Sequence, residues 1–261
     1  MSQDIPRPVL GTIELPAMGG ATDALWHLLM RLAQSIDVPW TLVGGQMVML
    51  HGLQRGRPSP RVSADIDTVI DVRTEPRGMR RVVATLLALD LEPAGMPSPD
   101  GLMHRYVKPG TGVAVDLAVP GASVDVLVPE GLGPTADVGT SLGGRAFPVQ
   151  GASQALGRTQ IVPVRYDGID ANVPRPDLLG AIVCKAVAAV VDYKSPERHT
   201  RDLAFLCTLA EDPFLLAAQL TSKDRKRMSA AAHKLHADSA TWRELESFGE
   251  DGRATWQLLT A

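Results

Sequence analysis

The sequence predicts an α/β (α+β) fold in two parts: a mixed sheet with flanking helices over residues 1–173 and a helical domain over residues 174–261. Three observations carry this. Short apolar, partly β-branched runs alternate with helical stripes between residues 21 and 90. Strand-like runs at 102–107, 113–119 and 123–128 follow one another across glycine- or proline-containing turns. From Pro174-Arg175-Pro176-Asp177 onward comparable strand signals stop, and apolar residues recur at helical spacing.

Residues 1–20 are rich in Pro and Gly and read as an irregular lead-in. Leu25, Leu28, Leu29 and Leu32 form the apolar stripe of a helix over 21–35. Trp40-Thr41-Leu42-Val43 reads as a buried strand and 45–54 as a helix. A proline-rich loop, Arg55 to Pro60, precedes a strand that runs to about Val72. Pro76 opens an amphipathic helix with Val82, Val83, Leu86, Leu87 and Leu89 on its core side. Residues 93–101 are a turn-rich break. The three strand-like runs after it suggest antiparallel meander pairing. Residues 129–160 read as a surface excursion with a short helix at 152–156, and 161–164 as a last strand. Asp177 is placed to cap a helix ending at Asp192, and further helices are expected at 197–211, 213–236 and 239–259.

The chain has 261 residues, 45% hydrophobic and 21% charged, which suits a soluble globular protein. No run approaches the ~20 apolar residues of a membrane span. The N-terminus lacks the basic and apolar regions of a secretory signal. Cys184 and Cys207 sit in apolar helical stretches and read as reduced core residues, so a cytoplasmic location is expected. A net charge of −3 argues against strong non-specific binding of nucleic acid. Local basic clusters remain, at Arg55, Arg57 and Arg61, at Arg73, Arg77, Arg80 and Arg81, and at Lys223, Arg225, Lys226 and Arg227.

Two motifs carry chemistry. Gly44-Gly45 follows a strand and opens a helix, where free backbone N–H groups face an anion and the lack of side chains lets a phosphate approach. The same pair also fits an ordinary strand-to-helix turn. In Asp65-Ile66-Asp67 the acids are two apart, so in a strand both project to one face and Ile66 to the other. Two carboxylates that close repel unless a cation lies between them. Magnesium takes a few carboxylates together with phosphate oxygens and water. Ser63 falls on the same face by the same spacing. A lone acid in an apolar strand needs a partner, and both Asp125, in Ser123–Val128, and Asp116, in Val113–Val119, fit that description. Arg105 stands in a neighbouring strand-like run, where it could counter a phosphate or a carboxylate.

Gly44-Gly45, His51-Gly52 and Arg61-x-Ser63-x-Asp65-Ile66-Asp67 together resemble the signature of the polymerase-β-like nucleotidyltransferases, most nearly the AbiEii-type toxins of bacterial toxin–antitoxin systems. The resemblance implies a nucleotidyltransferase-type sheet and a third carboxylate, Asp125 in preference to Asp116, because the family places it just before a Leu-x-Pro turn. It implies metal ligation by Asp65, Asp67 and Asp125, and nucleotide binding by Gly44, Gly45, Ser63 and Lys185. Lys185 and Asp202 match the branch's lysine on one helix and its basic-Asp pair on the next, with a triphosphate-contacting lysine and a positioning or acid–base aspartate as the implied roles. A buried salt bridge joining two helices is the other reading of that pair. The activity implied is transfer of a nucleoside monophosphate from an NTP, with Mg2+, to the 3′ end of tRNA, by a toxin with a cognate antitoxin. Nucleotidylation of a small molecule or a protein, and nucleotide binding without chemistry, are the alternatives.

Overall fold

The computed structural model describes residues 10–109, 122–133 and 136–261. In chain order its elements are β1 (Ile13–Glu14), α1 (Gly20–Ser35), β2 (Trp40–Val43), α2 (Gly44–Gln54), β3 (Asp65–Ile70), α3 (Gly78–Ala88), β4 (Glu92–Pro93), β5 (Arg105–Val107), β6 (Ser123–Pro129), β7 (Phe147–Val149), α4 (Ala152–Gly157), β8 (Thr159–Tyr166) and β9 (Ile169–Pro176). Then come α5 (Leu178–Val191), α6 (Pro196–Cys207), α7 (Pro213–Ala218), α8 (Ser222–Ala231), α9 (Ala240–Glu244) and α10 (Gly249–Thr260). The architecture is a mixed α+β fold. Residues 1–46 and 62–175 form one compact unit; residues 47–61 and 176–261 form a second.

The first unit is built on a mixed sheet. Among the described residues its order is β2-β3-β6-β5-β4, with β7 also paired to β6. β3 and β6 run parallel, whereas β2 against β3 and β5 against β6 are antiparallel. β5 and β7 divide one edge of β6 between them: β5 takes Ser123–Asp125, and β7 takes Leu127–Pro129. Ile66, Val124 and Val126 are fully buried, as expected of strands with one face in the core. The expected strand at 113–119, with Asp116, lies outside the described residues.

The α1 stripe buries Leu25, Leu28, Leu29 and Leu32 as its spacing requires. In α3 the buried side is Met79, Val82 and Leu86, while Leu87 is 48% exposed. Successive helical residues are about 100° apart, so Leu86 and Leu87 cannot share one narrow apolar stripe. That helix begins at Gly78, not at Pro76, because a turn bonding Gly78 N–H to the Glu75 carbonyl comes first.

A second sheet, β1-β8-β9, contains two strands not anticipated from the sequence: β1, within the stretch read as an irregular lead-in, and β9. β8 and β9 are joined by Asp167-Gly168, both with positive φ (47° and 73°). Asp-Gly is the preferred pair for a two-residue turn of that kind.

In the second unit, Asp177 caps α5 by accepting from the Gly180 N–H at 2.6 Å. The single helix expected over 213–236 is interrupted. Thr221 starts α8 with a reciprocal capping box: its hydroxyl accepts from the Asp224 N–H, and the Asp224 carboxylate accepts from the Thr221 N–H. Cys184 and Cys207 are both free thiols. Among the described residues no helix is long and apolar enough to cross a membrane.

Candidate metal centre

The site of the first unit is a single row of the mixed sheet. Val43 on β2 pairs with Asp67 on β3, Asp67 with Asp125 on β6, and Asp125 with Arg105 on β5. Directly opposed residues on neighbouring strands present their side chains on the same face. Asp65 lies two residues before Asp67 on β3 and shares that face. One carboxylate oxygen from each of Asp65, Asp67 and Asp125 lies within 4.8 Å of the others. Asp65 and Asp67 are half-buried and Asp125 is buried.

Each acid is held by its surroundings. The Ser63 hydroxyl donates to Asp65 Oδ1 at 2.7 Å. Thr68 Oγ1, fully buried, donates to the Asp125 carbonyl at 2.9 Å and ties β3 to β6 at the row. The Arg105 guanidinium grips Asp125 with two bonds, Nε to Oδ1 at 2.8 Å and an NH2 nitrogen to Oδ2 at 2.6 Å. The same nitrogen is 3.9 Å from Asp65 Oδ2. The hydrogen bonds to Asp125 push the Arg105 pKa up against the opposing effect of burial, and the charges of Asp125, Asp65 and Asp67 add to the rise. His104 beside it is pulled down, first by burial; Asp125 opposes this and Arg105 reinforces it.

Gly44 is fixed by geometry. Its φ is +73°, and a Cβ there would lie 1.8 Å from Asp67 Oδ2. Any side chain at 44 would collide with the carboxylate and also strain the backbone. Gly45 is buried behind it in the first turn of α2, and Gln46 donates to the Ser63 carbonyl at 3.1 Å. The start of α2 and the approach to β3 are thereby tied together.

The second unit holds a separate cluster. Lys185, 3% exposed on α5, places Nζ 2.7 Å from Asp202 Oδ2 on α6. Arg61 donates to both oxygens of Asp202, at 2.9 and 2.8 Å. Asp202 is fully buried. Burial raises its pKa, but the charges of Lys185 and Arg61 and their hydrogen bonds outweigh this and leave it lowered. Lys185 and Asp202 therefore meet as a salt bridge between two helices. The share of Arg61 was not foreseen: it lies 141 residues from Asp202 in the chain, and no local pattern marks such a pairing. The approach of Gly44 to Asp67 also went unforeseen, though a glycine directly after a strand was its available signal.

Three oxygen-donating carboxylates on adjacent strands, with no thiol or imidazole in the set, suit a hard divalent cation such as magnesium. Neither a scan against protein-family models nor a search of curated proteins gives a match. Among solved structures, the chain is similar to an antigenic nucleotidyltransferase-like protein from Paracoccidioides brasiliensis, with a TM-score of 0.45 and 18% identity over 82% of this chain and 94% of that one. It is also similar to JHP933 from Helicobacter pylori, with a TM-score of 0.43 and 14% identity over 94% of each chain.

Proposed function

We propose that the protein is a magnesium-dependent nucleotidyltransferase of the polymerase-β-like kind, moving a nucleoside monophosphate from an NTP to an acceptor hydroxyl. The observation that carries this is the convergence of carboxylate oxygens from Asp65, Asp67 and Asp125 within 4.8 Å on one face of the mixed sheet. Like charges gathered so closely oppose one another, and a bound cation relieves the repulsion. The acceptor we assign is the 3′ end of tRNA, with the protein acting in the cytoplasm as an AbiEii-type toxin countered by an antitoxin. The local arginine and lysine clusters support a polyanionic acceptor over a small cationic one. Residues 1–173 form the catalytic domain in this reading and residues 174–261 a helical one.

Asp65, Asp67 and Asp125 would hold the cation. Bound there, magnesium would supply positive charge to the phosphate oxygens and lower the pKa of the acceptor hydroxyl. Ser63 orients Asp65, and Arg105 orients Asp125. Gly44 makes room for the Asp67 carboxylate at the start of α2, and the free N–H groups of that helix end would face a phosphate chain. Asp202 positions Lys185, whose role toward a triphosphate is what the resemblance alone implies. The acceptor oxygen bonds to the α-phosphorus, its proton passes to water, and the α-phosphorus–oxygen bond to the leaving pyrophosphate breaks.

The test is transfer from α-labelled nucleotides. The protein is incubated with Mg2+, each of the four ribonucleotides in turn and total tRNA, with Asp67→Ala as control. Label in the RNA band, absent from the control, is expected. A folded protein that labels nothing overturns the assignment. Label on protein alone moves the acceptor from RNA to protein.

A further inference from the structure

Arg105 does more in this site than the signature motifs require. It enters from β5, directly opposite Asp125 in the sheet register, so its position is set by strand pairing. It binds both oxygens of Asp125 and approaches Asp65 at 3.9 Å. Its cationic group thus lies against two of the three carboxylates that face one another. A bidentate arginine takes the same paired oxygen edge that a metal ion would use. The two partners differ in freedom. The Asp125 side chain is 9% exposed and its backbone is tied by Thr68, whereas the Arg105 side chain is 48% exposed. If one of them moves when a cation arrives, it is the arginine, on a long side chain with solvent at hand.

We infer that Arg105 is a displaceable internal counter-ion: it holds Asp125 in the metal-free protein, competes with the divalent cation for that carboxylate, and is released when the cation binds. Arg105 is then a positioning residue that sets metal affinity. The inference rests on the metal-binding reading of the cluster. A residue that merely built the site would weaken metal binding when removed; a competing counter-ion strengthens it, so the sign of the effect separates the two.

The experiment is titration of the full chain with Mn2+, following free Mn2+ by electron paramagnetic resonance, for the wild type, Arg105→Gln, Arg105→Lys and Asp67→Ala. Wild-type binding that Asp67→Ala loses is expected, with Arg105→Gln tighter on the order of tenfold and Arg105→Lys in between. Equal or weaker binding by a folded Arg105→Gln overturns the inference and leaves the metal site standing. Absence of Mn2+ binding by the wild type overturns both. A second readout needs no variant. The Arg105 Nε–H, bonded to Asp125 without metal, should give a protected 15N-resolved resonance that saturating Mg2+ removes. Its persistence under saturation overturns the inference even where the variants fail to fold.

Discussion

Two of the charge clusters among the described residues are balanced in opposite directions. On one sheet face of the first unit, Asp65, Asp67 and Asp125 gather near Arg105, three carboxylates with one guanidinium against two of them. In the second unit, Lys185 and Arg61 converge on Asp202, two cations on one carboxylate. The first cluster is partly open, with the Asp65 side chain 29% and that of Arg105 48% exposed, and its surplus is negative. The second is closed around a wholly buried carboxylate, and its surplus is positive. Buried charge is tolerated only when paired and hydrogen-bonded, and the second cluster meets that condition from its own residues. The first gains most from a cation supplied from outside. One cluster is thus built as structure, whatever else it does; the other retains a repulsion that a bound cation would relieve.

The largest expected effect tests the structural side. Asp202→Ala leaves Lys185 buried without its carboxylate and releases Arg61, and it should cost about 3–5 kcal/mol of unfolding free energy. Urea denaturation at pH 7 measures this. A loss below about 1 kcal/mol, the value of an exposed pair, breaks the comparison, because the second cluster would then be as dispensable to the fold as the first.

The acids of the first cluster and the Lys185–Asp202 bridge of the second were legible in the sequence, and the partner of each cluster's arginine was not, for a physical reason. Asp65 and Asp67 are neighbours at strand spacing, so their common face follows from local geometry, and a single apolar strand around Asp125 advertises an acid that needs a partner. The parallel register that sets Asp125 beside Asp67 is a long-range property, as is the pairing of Arg105 with Asp125. Lys185 stood out as a cation within an apolar helix, which marks burial, and its partner Asp202 came from the resemblance and not from local pattern. Arg61 carried no such mark: it sits in a proline-rich loop, and its bonds to Asp202 exist only once the chain has closed 141 residues. The helices were legible where a stripe was regular, as in α1, and misjudged where capping interrupts a helical composition, as at Thr221. The strand β9 was hidden by sparse apolar content in Ile169–Asn172, although Asp167-Gly168 marked its turn.

The next effect sharpens the comparison by asking how far the buried positive surplus reaches. His199 on α6 has its imidazole pKa pulled from 6.5 to about 4, chiefly by burial and then by the Lys185 charge; Arg198 adds to the fall, and Asp192 opposes it. The Asp192 carboxyl itself lies at about 2, where its bonds from the Ser195 and Lys194 N–H groups overcome burial, so it stays charged throughout this range. A histidine lowered on folding is neutral in the native protein and takes up its proton on unfolding. The unfolded chain therefore binds more protons between pH 4 and 6.5, and stability falls as pH falls through that window. Between pH 7 and pH 5 the loss from this residue should be about 2 kcal/mol. Urea unfolding at the two pH values, compared with His199→Gln, isolates it. The variant should show the smaller pH dependence, and equal slopes would mean that neither burial nor the Lys185 charge holds the imidazole down.

The smallest effect tests the open cluster and has the opposite sign. Asp65→Asn removes one of the mutually repelling carboxylates but keeps an oxygen to accept from Ser63. In EDTA the variant should be as stable as the wild type or more so, by up to about 1 kcal/mol. Millimolar Mg2+ should reverse the order, since a ligand that binds only the folded state adds stability in proportion to RT ln(1 + [L]/Kd), and only the wild type retains the full carboxylate set. Thermal unfolding of both proteins in EDTA and in Mg2+ gives the four values needed. A crossing of the two proteins marks a cluster whose repulsion is held in reserve for a cation. If Asp65→Asn instead loses stability in EDTA on the scale of Asp202→Ala, then Asp65 is a structural acid and the contrast between the clusters disappears.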